Sequence, residues 1–246
     1  MAAAKAPKGA AKAQRQAPTR DAEDALRAQG HRVVVGIDEV GKGAWAGPLA
    51  VGIALVPDHD PNDVPSPIRD SKTLTEKARE KMFDAVAAWC TAWSVGMASP
   101  QECDEWGMAE AQRVATRRAL ASLEESQGVA PDAAVVDGSW NFVSPLVPRV
   151  QMMVKADASC LSVAAASILA KVTRDRMMRE LAHDFPMYRF DGNKGYPCQW
   201  HRTALAGYGP SSVHRTSWAF MDDVPWPGSP RRERELRLFE FRSSGP

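Results

Sequence analysis

Cysteine is sparse and unpatterned in this sequence. Its four cysteines, Cys90, Cys103, Cys160 and Cys198, are scattered and no C-x-x-C occurs, so neither a zinc knuckle nor a disulfide scaffold is indicated, and a reducing cytoplasm is the expected setting. No apolar run approaches the roughly 18 residues that a membrane span needs. The N-terminus carries Lys and Ala but no compact apolar stretch, so no secretory signal is expected. An excess of one charge is also missing, since the formal net charge is only +1. That sum does not by itself point to nucleic acid, yet a protein using basic groups for phosphate and acidic groups for metal would show the same balance. Local arrangement has to decide. What is present is ordinary for a globular chain: 246 residues with 44% hydrophobic content, enough for one large domain or two small ones with a sizeable core.

Residues 1 to about 28 are rich in Ala, Lys, Gln and Arg, with Lys5, Lys8, Lys12, Arg15 and Arg20 preceding any acidic residue. They read as a disordered, basic, solubilising tail; the alternative is an electrostatic arm that adds affinity for DNA without sequence preference. From His31 the patterns become those of folded elements. Arg32 to Asp38 and Leu49 to Val56 are short β-branched runs, joined closely enough to favour an antiparallel hairpin. Three prolines mark 58–67 as a loop. A helix is expected from Thr75, as N-cap, to Trp93, with Met82, Val86 and Trp89 along one face. Ser94 to Ala98 is a strand, and Ser99-Pro100 opens a second helical region reaching about Ser126. Ala133 to Asp137 and Arg149 to Val154 are strands, and Ala158 to about His183 is the longest helix. This succession predicts an α/β domain, one mixed sheet covered by helices.

Four acids stand at the ends of these elements. Asp38 and Glu39 close an apolar strand in Gly36-Ile37-Asp38-Glu39-Val40-Gly41-Lys42-Gly43, where burial is costly unless a cation compensates. Taken alone, such a pair before a glycine turn is more often a solvated turn. The octet also nearly matches the phosphate-binding pattern G-x-x-x-x-G-K-[ST], but Gly43 replaces the hydroxyl that would hold Mg²⁺. Asp137 ends a buried strand, facing the crevice where α/β sheets bind ligands, or starts an ordinary turn. Asp157 precedes the long helix, and taken alone reads as its N-cap. On that helix Leu161, Ala165, Ile168 and Val172 mark a buried face, while Ser167, Lys171 and Arg174 share another face that is either solvated or near a phosphate. Together Asp38, Glu39, Asp137 and Asp157 form a carboxylate set suited to two-metal phosphodiester hydrolysis with Mn²⁺ or Mg²⁺. Neighbours in a regular strand face opposite ways, so Asp38 and Glu39 reach one site only where the strand ends or distorts.

The segments GIDEVGKGAWAGPLAVG (36–52), RDSKTL (69–74), VVDG (135–138), KADASCLSVAAASILAKVTRDRMM (155–178), NKGYP (193–197) and YGPSSVHRTSW (208–218) resemble ribonuclease HII, the bacterial type 2 ribonuclease H, in that family's order. The resemblance implies a ribonuclease H-like five-stranded mixed sheet flanked by helices, with a helical C-terminal part. It places Asp38, Glu39, Asp137 and Asp157 on the family's metal-binding and catalytic carboxylates. Gly41, Lys42 and Gly43 fall on the loop that meets the ribonucleotide and its phosphates; the family usually has Gly-Arg-Gly there, and Lys42 offers a point charge in place of a bidentate fork. Ser71 and Lys72 match a segment that contacts backbone phosphate. Tyr196 matches the junction-reading tyrosine, whose ring would stack on the sugar of the following deoxynucleotide, where a 2′-OH would clash.

The resemblance further implies hydrolysis 5′ of a ribonucleotide in duplex DNA, leaving 3′-hydroxyl and 5′-phosphate ends, together with cutting of RNA in RNA·DNA hybrids. The catalytic domain is expected over 29–222, with 223–246 a flexible or peripheral tail, and the protein is expected to be a monomer with no membrane partner. Within the tail, Glu235 to Phe239 is similar to the Gln-Leu-x-Leu-Phe peptide that docks on the sliding clamp, with Glu235 in place of Gln; a helix packing Leu236 and Phe239 on the domain is the alternative. Cys198-x-x-His201 lacks the second half of a zinc site, and structural roles are expected for His201, His214 and Arg215. A non-catalytic binder on the same fold would typically have lost an acid, and a nucleotide switch would need the completed phosphate loop.

Overall fold

The computed structural model describes residues 17–58, 64, 65, 68 and 75–224. Ser71, Lys72 and the Glu235–Phe239 segment lie outside them. Five strands form one sheet: β1 (Val34–Val40), β2 (Leu49–Leu55), β3 (Ala92–Ala98), β4 (Ala133–Asp137) and β5 (Arg149–Met153), in the order β3-β2-β1-β4-β5. β1 pairs antiparallel with β2, and β2 with β3, whereas β1 to β4 and β4 to β5 are parallel. The hairpin and the mixed sheet read from the sequence are both present.

Side-chain alternation along the strands separates two cores. Val35, Ile37, Leu49, Val51, Ile53, Ala134 and Val136 pack on α3 (Pro100–Gln127) through Ala111, Ala115, Ala119 and Leu123. The opposite face receives α4 (Leu161–Asp184) and, beyond it, α2 (Glu76–Trp89). The backbone of α4 approaches β1 so closely at Gly36 that a Cβ there would run into the main chain at Ser162 and Val163. Leu161, Ala165, Ile168 and Val172 are buried as their spacing predicts.

Local signals set several boundaries. Thr75 accepts from the Ala78 N–H at 3.2 Å and starts α2. Ser99 and Glu102 form a reciprocal capping box with Pro100 at the first helical position, which satisfies two otherwise orphaned donors. α2 ends earlier than expected, at Trp89, because Trp93 belongs to β3 opposite Ala54.

Two expectations need correction. The chain is not a structureless tail up to residue 28: α1 (Asp21–Ala28) packs Leu26 against Val34, Val135 and Val163. Nor is Asp157 the N-cap of the long helix. It sits in a 3₁₀ turn over Ala156–Ala158, and α4 begins at Leu161 after Cys160, which makes no side-chain cap. The capping comes from a distance. The Ser162 N–H donates to Glu23 Oε1 at 2.8 Å, and the Leu161 N–H to the Thr19 carbonyl at 2.9 Å.

The C-terminal part is helical, with α5 (Phe190–Asn193) and α6 (Gln199–Tyr208) gathered with Ala46, Met178, Tyr188, Phe220 and Met221 in a separate apolar cluster. Among the described residues no helix is long and apolar enough to cross a membrane.

Candidate functional site

β1 and β4 run parallel with Ile37 beside Val136. The next residues are Asp38 and Asp137, and alternation puts both on the face that α4 covers, since Val34 and Val135 lie in that core while Val35 and Val136 lie in the other. Asp38 is 4% exposed and its Oδ1 accepts from the Glu39 N–H at 2.8 Å. Asp137 Oδ1 accepts from the Ala156 N–H at 2.8 Å, which ties the end of β4 to the turn carrying the buried Asp157. The pairing of β1 with β4 ends at Ile37, while pairing with β2 continues through Val40. Glu39 thus sits in regular strand, yet it lines the same cleft as Asp38. Burial pushes the Glu39 carboxyl above its ordinary range; Lys42, 3.5 Å away, draws it back down and Asp137 pushes it further up.

Topology therefore sets Asp38 and Asp137 on neighbouring strands, with Glu39 next to Asp38 and Asp157 in the turn bonded to Asp137; of the four, Asp38 and Glu39 line the cleft. Among the described residues, however, no three His, Cys, Asp or Glu side chains are gathered so as to hold a metal ion. Like charges in a poorly solvated cleft repel one another, and backbone N–H groups engage one oxygen each of Asp38 and Asp137. The chemistry of the set still fits a hard divalent cation: the donors are carboxylate oxygens, Asp38 and Asp157 are almost fully buried, and Glu39 is driven towards its neutral form by the charge and burial around it.

The cleft, of about 160 Å³, is walled by Asp38, Glu39, the Gly41–Gly43 turn, Ser167, Lys171 and Tyr196. The sequence's Ser167 and Lys171 face is thus part of the site. Lys171 is held by Asp175 at 2.5 Å and stands 5.9 Å from the Tyr196 ring. Gly41 has φ +89°, and a Cβ there would strike the Arg174 guanidinium and the Pro48 carbonyl; this close approach requires glycine. The Gly41 N–H donates to Tyr196 Oη at 3.0 Å. That bond fixes the phenol against the glycine turn.

Two arginines that the sequence left on a solvated, phosphate-facing or structural footing are the struts of this loop. Arg174, fully buried, donates to the carbonyls of Pro48 (2.7 Å), Lys194 (2.8 Å) and Ala46 (3.0 Å), and its guanidinium lies 5.5 Å from the Tyr196 ring. It does not reach solvent, and Nε and both terminal nitrogens are engaged by main-chain carbonyls. Arg215 donates to the carbonyls of Lys42 (3.2 Å) and Gly47 (3.0 Å). A signal for Arg174 was available, because residues 161–172 carry one charge, Lys171, and offer no hydrated face for an arginine. Asp104 gave none: it accepts from the N–H and hydroxyl groups of Thr216 and Ser217 and so pins the segment that carries Arg215. Cys198 caps α6, its sulfur accepting from the His201 N–H at 3.4 Å.

The family model for ribonuclease HII matches residues 35–221. A ribonuclease HII of Streptomyces griseus is 45% identical over 213 residues, covering 85% of this chain and 86% of that protein. Among solved structures, the ribonuclease H2 of Pyrococcus horikoshii is similar with a TM-score of 0.62 at 27% identity, covering 78% of this chain and 97% of that one. A ribonuclease HII of Archaeoglobus fulgidus, determined as a complex with PCNA, matches with a TM-score of 0.64 at 25% identity over the same shares.

Proposed function

The chain belongs to the ribonuclease HII family and is a ribonuclease H, and from that premise we propose that it cuts duplex DNA on the 5′ side of an embedded ribonucleotide, leaving 3′-hydroxyl and 5′-phosphate ends. RNA in RNA·DNA hybrids is the second substrate. The observation that supports this reading is the placement of Asp38 and Asp137 one residue beyond the last pair of the parallel strands β1 and β4, beside a cleft lined by the glycine turn and Tyr196.

In this reading Asp38 and Asp137 are the central ligands of Mg²⁺ or Mn²⁺, and Glu39 and Asp157 complete the set. Bound there, two divalent ions would lower the pKa of the attacking water and stabilise the leaving oxygen. The chain's own groups do the placing. The Gly41 N–H is occupied by Tyr196, so phosphate contacts from the turn fall to Lys42 and Gly43. Lys42, half-exposed beside Glu39, offers its ammonium as a point charge. Tyr196, held at its hydroxyl, presents its ring to the sugar that follows the ribonucleotide, where a 2′-OH would be excluded. We further propose that Glu235–Phe239 docks on the sliding clamp, a reading supported by the archaeal relative's determination with PCNA.

The test is a duplex with a single ribonucleotide, incubated with and without Mg²⁺ or Mn²⁺. Cleavage on the 5′ side should require the ion, and Asp38→Asn should lower it about a thousandfold or more, the several kcal/mol that a misplaced ion forfeits, while substrate binding and melting temperature change little. Near-normal turnover by that variant, or cutting in a chelator, would overturn the assignment.

A further inference from the structure

Behind Tyr196 two imidazoles are buried against each other. His201, on α6, is fully buried, and His214 is 2% exposed. Their Nε2 atoms are 2.9 Å apart, so one of the two carries a proton and the other accepts it. The outer nitrogens decide which. The Ser211 N–H donates to His214 Nδ1 at 2.9 Å, and the Ser211 hydroxyl lies 2.8 Å from the same atom. That nitrogen is therefore bare, and the His214 proton sits on Nε2. It is donated to His201 Nε2, which leaves the His201 proton on Nδ1, 3.0 Å from the Tyr196 carbonyl. A single directed chain results, from the Ser211 N–H through His214 and His201 to the backbone of Tyr196.

The rings have little freedom to depart from this order. Tyr188 packs edge-on to His214 with centroids 4.6 Å apart, Phe190 lies 5.6 Å from His201, and Trp45 lies 5.7 Å from His201. A second proton on either ring would set two N–H groups against each other in an apolar enclosure. Burial accordingly lowers both histidines, His214 to about 3. The far end of the same tyrosine is fastened too, its hydroxyl accepting from Gly41. Tyr196 is thus gripped at its carbonyl by one element and at its phenol by another.

We infer that the His201–His214 pair is a positioning element for Tyr196, which fixes how deeply the ring stands in the cleft and so sets the preference for a lone ribonucleotide over a continuous RNA tract. The inference rests on the reading of Tyr196 as the group that senses the junction. His201 and His214 touch no substrate in this scheme; they act through the Tyr196 backbone, as outer partners act on a ligand they orient.

The experiment uses the full chain with Mg²⁺ and compares initial rates on a duplex with one ribonucleotide and on an RNA·DNA hybrid. His214→Ala should lower the single-ribonucleotide to hybrid ratio about tenfold, in the range that loss of an outer partner or a displacement near 1 Å produces. His214→Gln, whose amide nitrogen can still donate to His201 Nε2, should restore most of the ratio. Equal loss on both substrates, with the ratio unchanged, would mean a merely structural role and overturn the inference. Tyr196→Ala separates the two levels: if it leaves the ratio unchanged, the junction reading falls and takes this inference with it; if it lowers the ratio while His214→Ala does not, only the inference falls. Should the His214 variants fail to fold, imidazole ¹⁵N spectra of the wild-type protein at neutral pH decide instead. The expected pattern is a proton on Nε2 of His214 and on Nδ1 of His201, and the reverse tautomers or a doubly protonated ring would overturn it.

Discussion

Burial shifts two groups around the cleft in opposite directions. Glu39 is raised, by desolvation first and by Asp137, whereas His214 is lowered to about 3, by desolvation first and by His201. For His214 the unfolded chain takes up a proton below its ordinary value of 6.5 and the native state does not. Stability present above that value is therefore lost as the pH falls from there towards 3, with a limiting slope of about 1.4 kcal/mol per pH unit. Glu39 works the other way, since a raised carboxyl adds stability below its unfolded value and loses it as the pH rises through the folded one. Comparing wild type with His214→Gln cancels the Glu39 contribution common to both. Denaturant titrations at pH 7.5 and 5.5 should show the wild type losing about 1 kcal/mol more than the variant on acidification; equal losses would mean that native His214 protonates as readily as it does in the unfolded chain.

Between elements, the α1–α4 contact carries a consequence for stability. Glu23 is fully buried and accepts from the Ser162 N–H, supplying the cap that Cys160 does not. Glu23→Ala would leave that donor buried without a partner, at a cost of about 2 kcal/mol, read as a lower denaturant midpoint at constant slope. Glu23→Gln keeps a carbonyl oxygen in place and should recover most of the loss. An unchanged midpoint for Glu23→Ala would remove the cap from the account. The same contact explains what the sequence hides. Strands such as Val34–Val40 and Leu49–Leu55 announce themselves by β-branched runs between glycine and proline, and the capping box at Ser99 is a local signal. α1 has no such signal. It follows a basic, alanine-rich stretch, and its reason for being ordered lies 139 residues away along the chain. Asp157 misleads for a related reason: an acid before an apolar helix resembles a cap, but the cap here is a tertiary contact.

Over the whole molecule, the acids drew attention in the sequence because each stands in or beside a recognisable element, two of them late in an apolar strand, and Tyr196 because the Asn193–Pro197 segment resembles the family. The strut Arg215, the anchor Asp104 and the imidazole pair did not, since their partners are carbonyls and side chains of distant segments that no spacing rule connects. The clamp contact belongs to this scale as well. Removing residues 233–246 takes away Glu235–Phe239 and none of the cleft, so binding to a purified sliding clamp should be lost while cleavage of the single-ribonucleotide duplex is kept. Retained clamp binding would end that proposal.

The loop over 41–48 is stitched by the carbonyl of Val213 to Gly47, by the Arg215 N–H to Trp45, and by the Arg215 side chain to Lys42 and Gly47. The surface proposed to receive the nucleic acid is therefore completed by nearly the last of the described residues, although the acids beside it begin at Asp38. During synthesis the ribosome has made every one of those acids well before Arg215 emerges. A chain made only as far as those acids carries them without the floor that Arg215 completes.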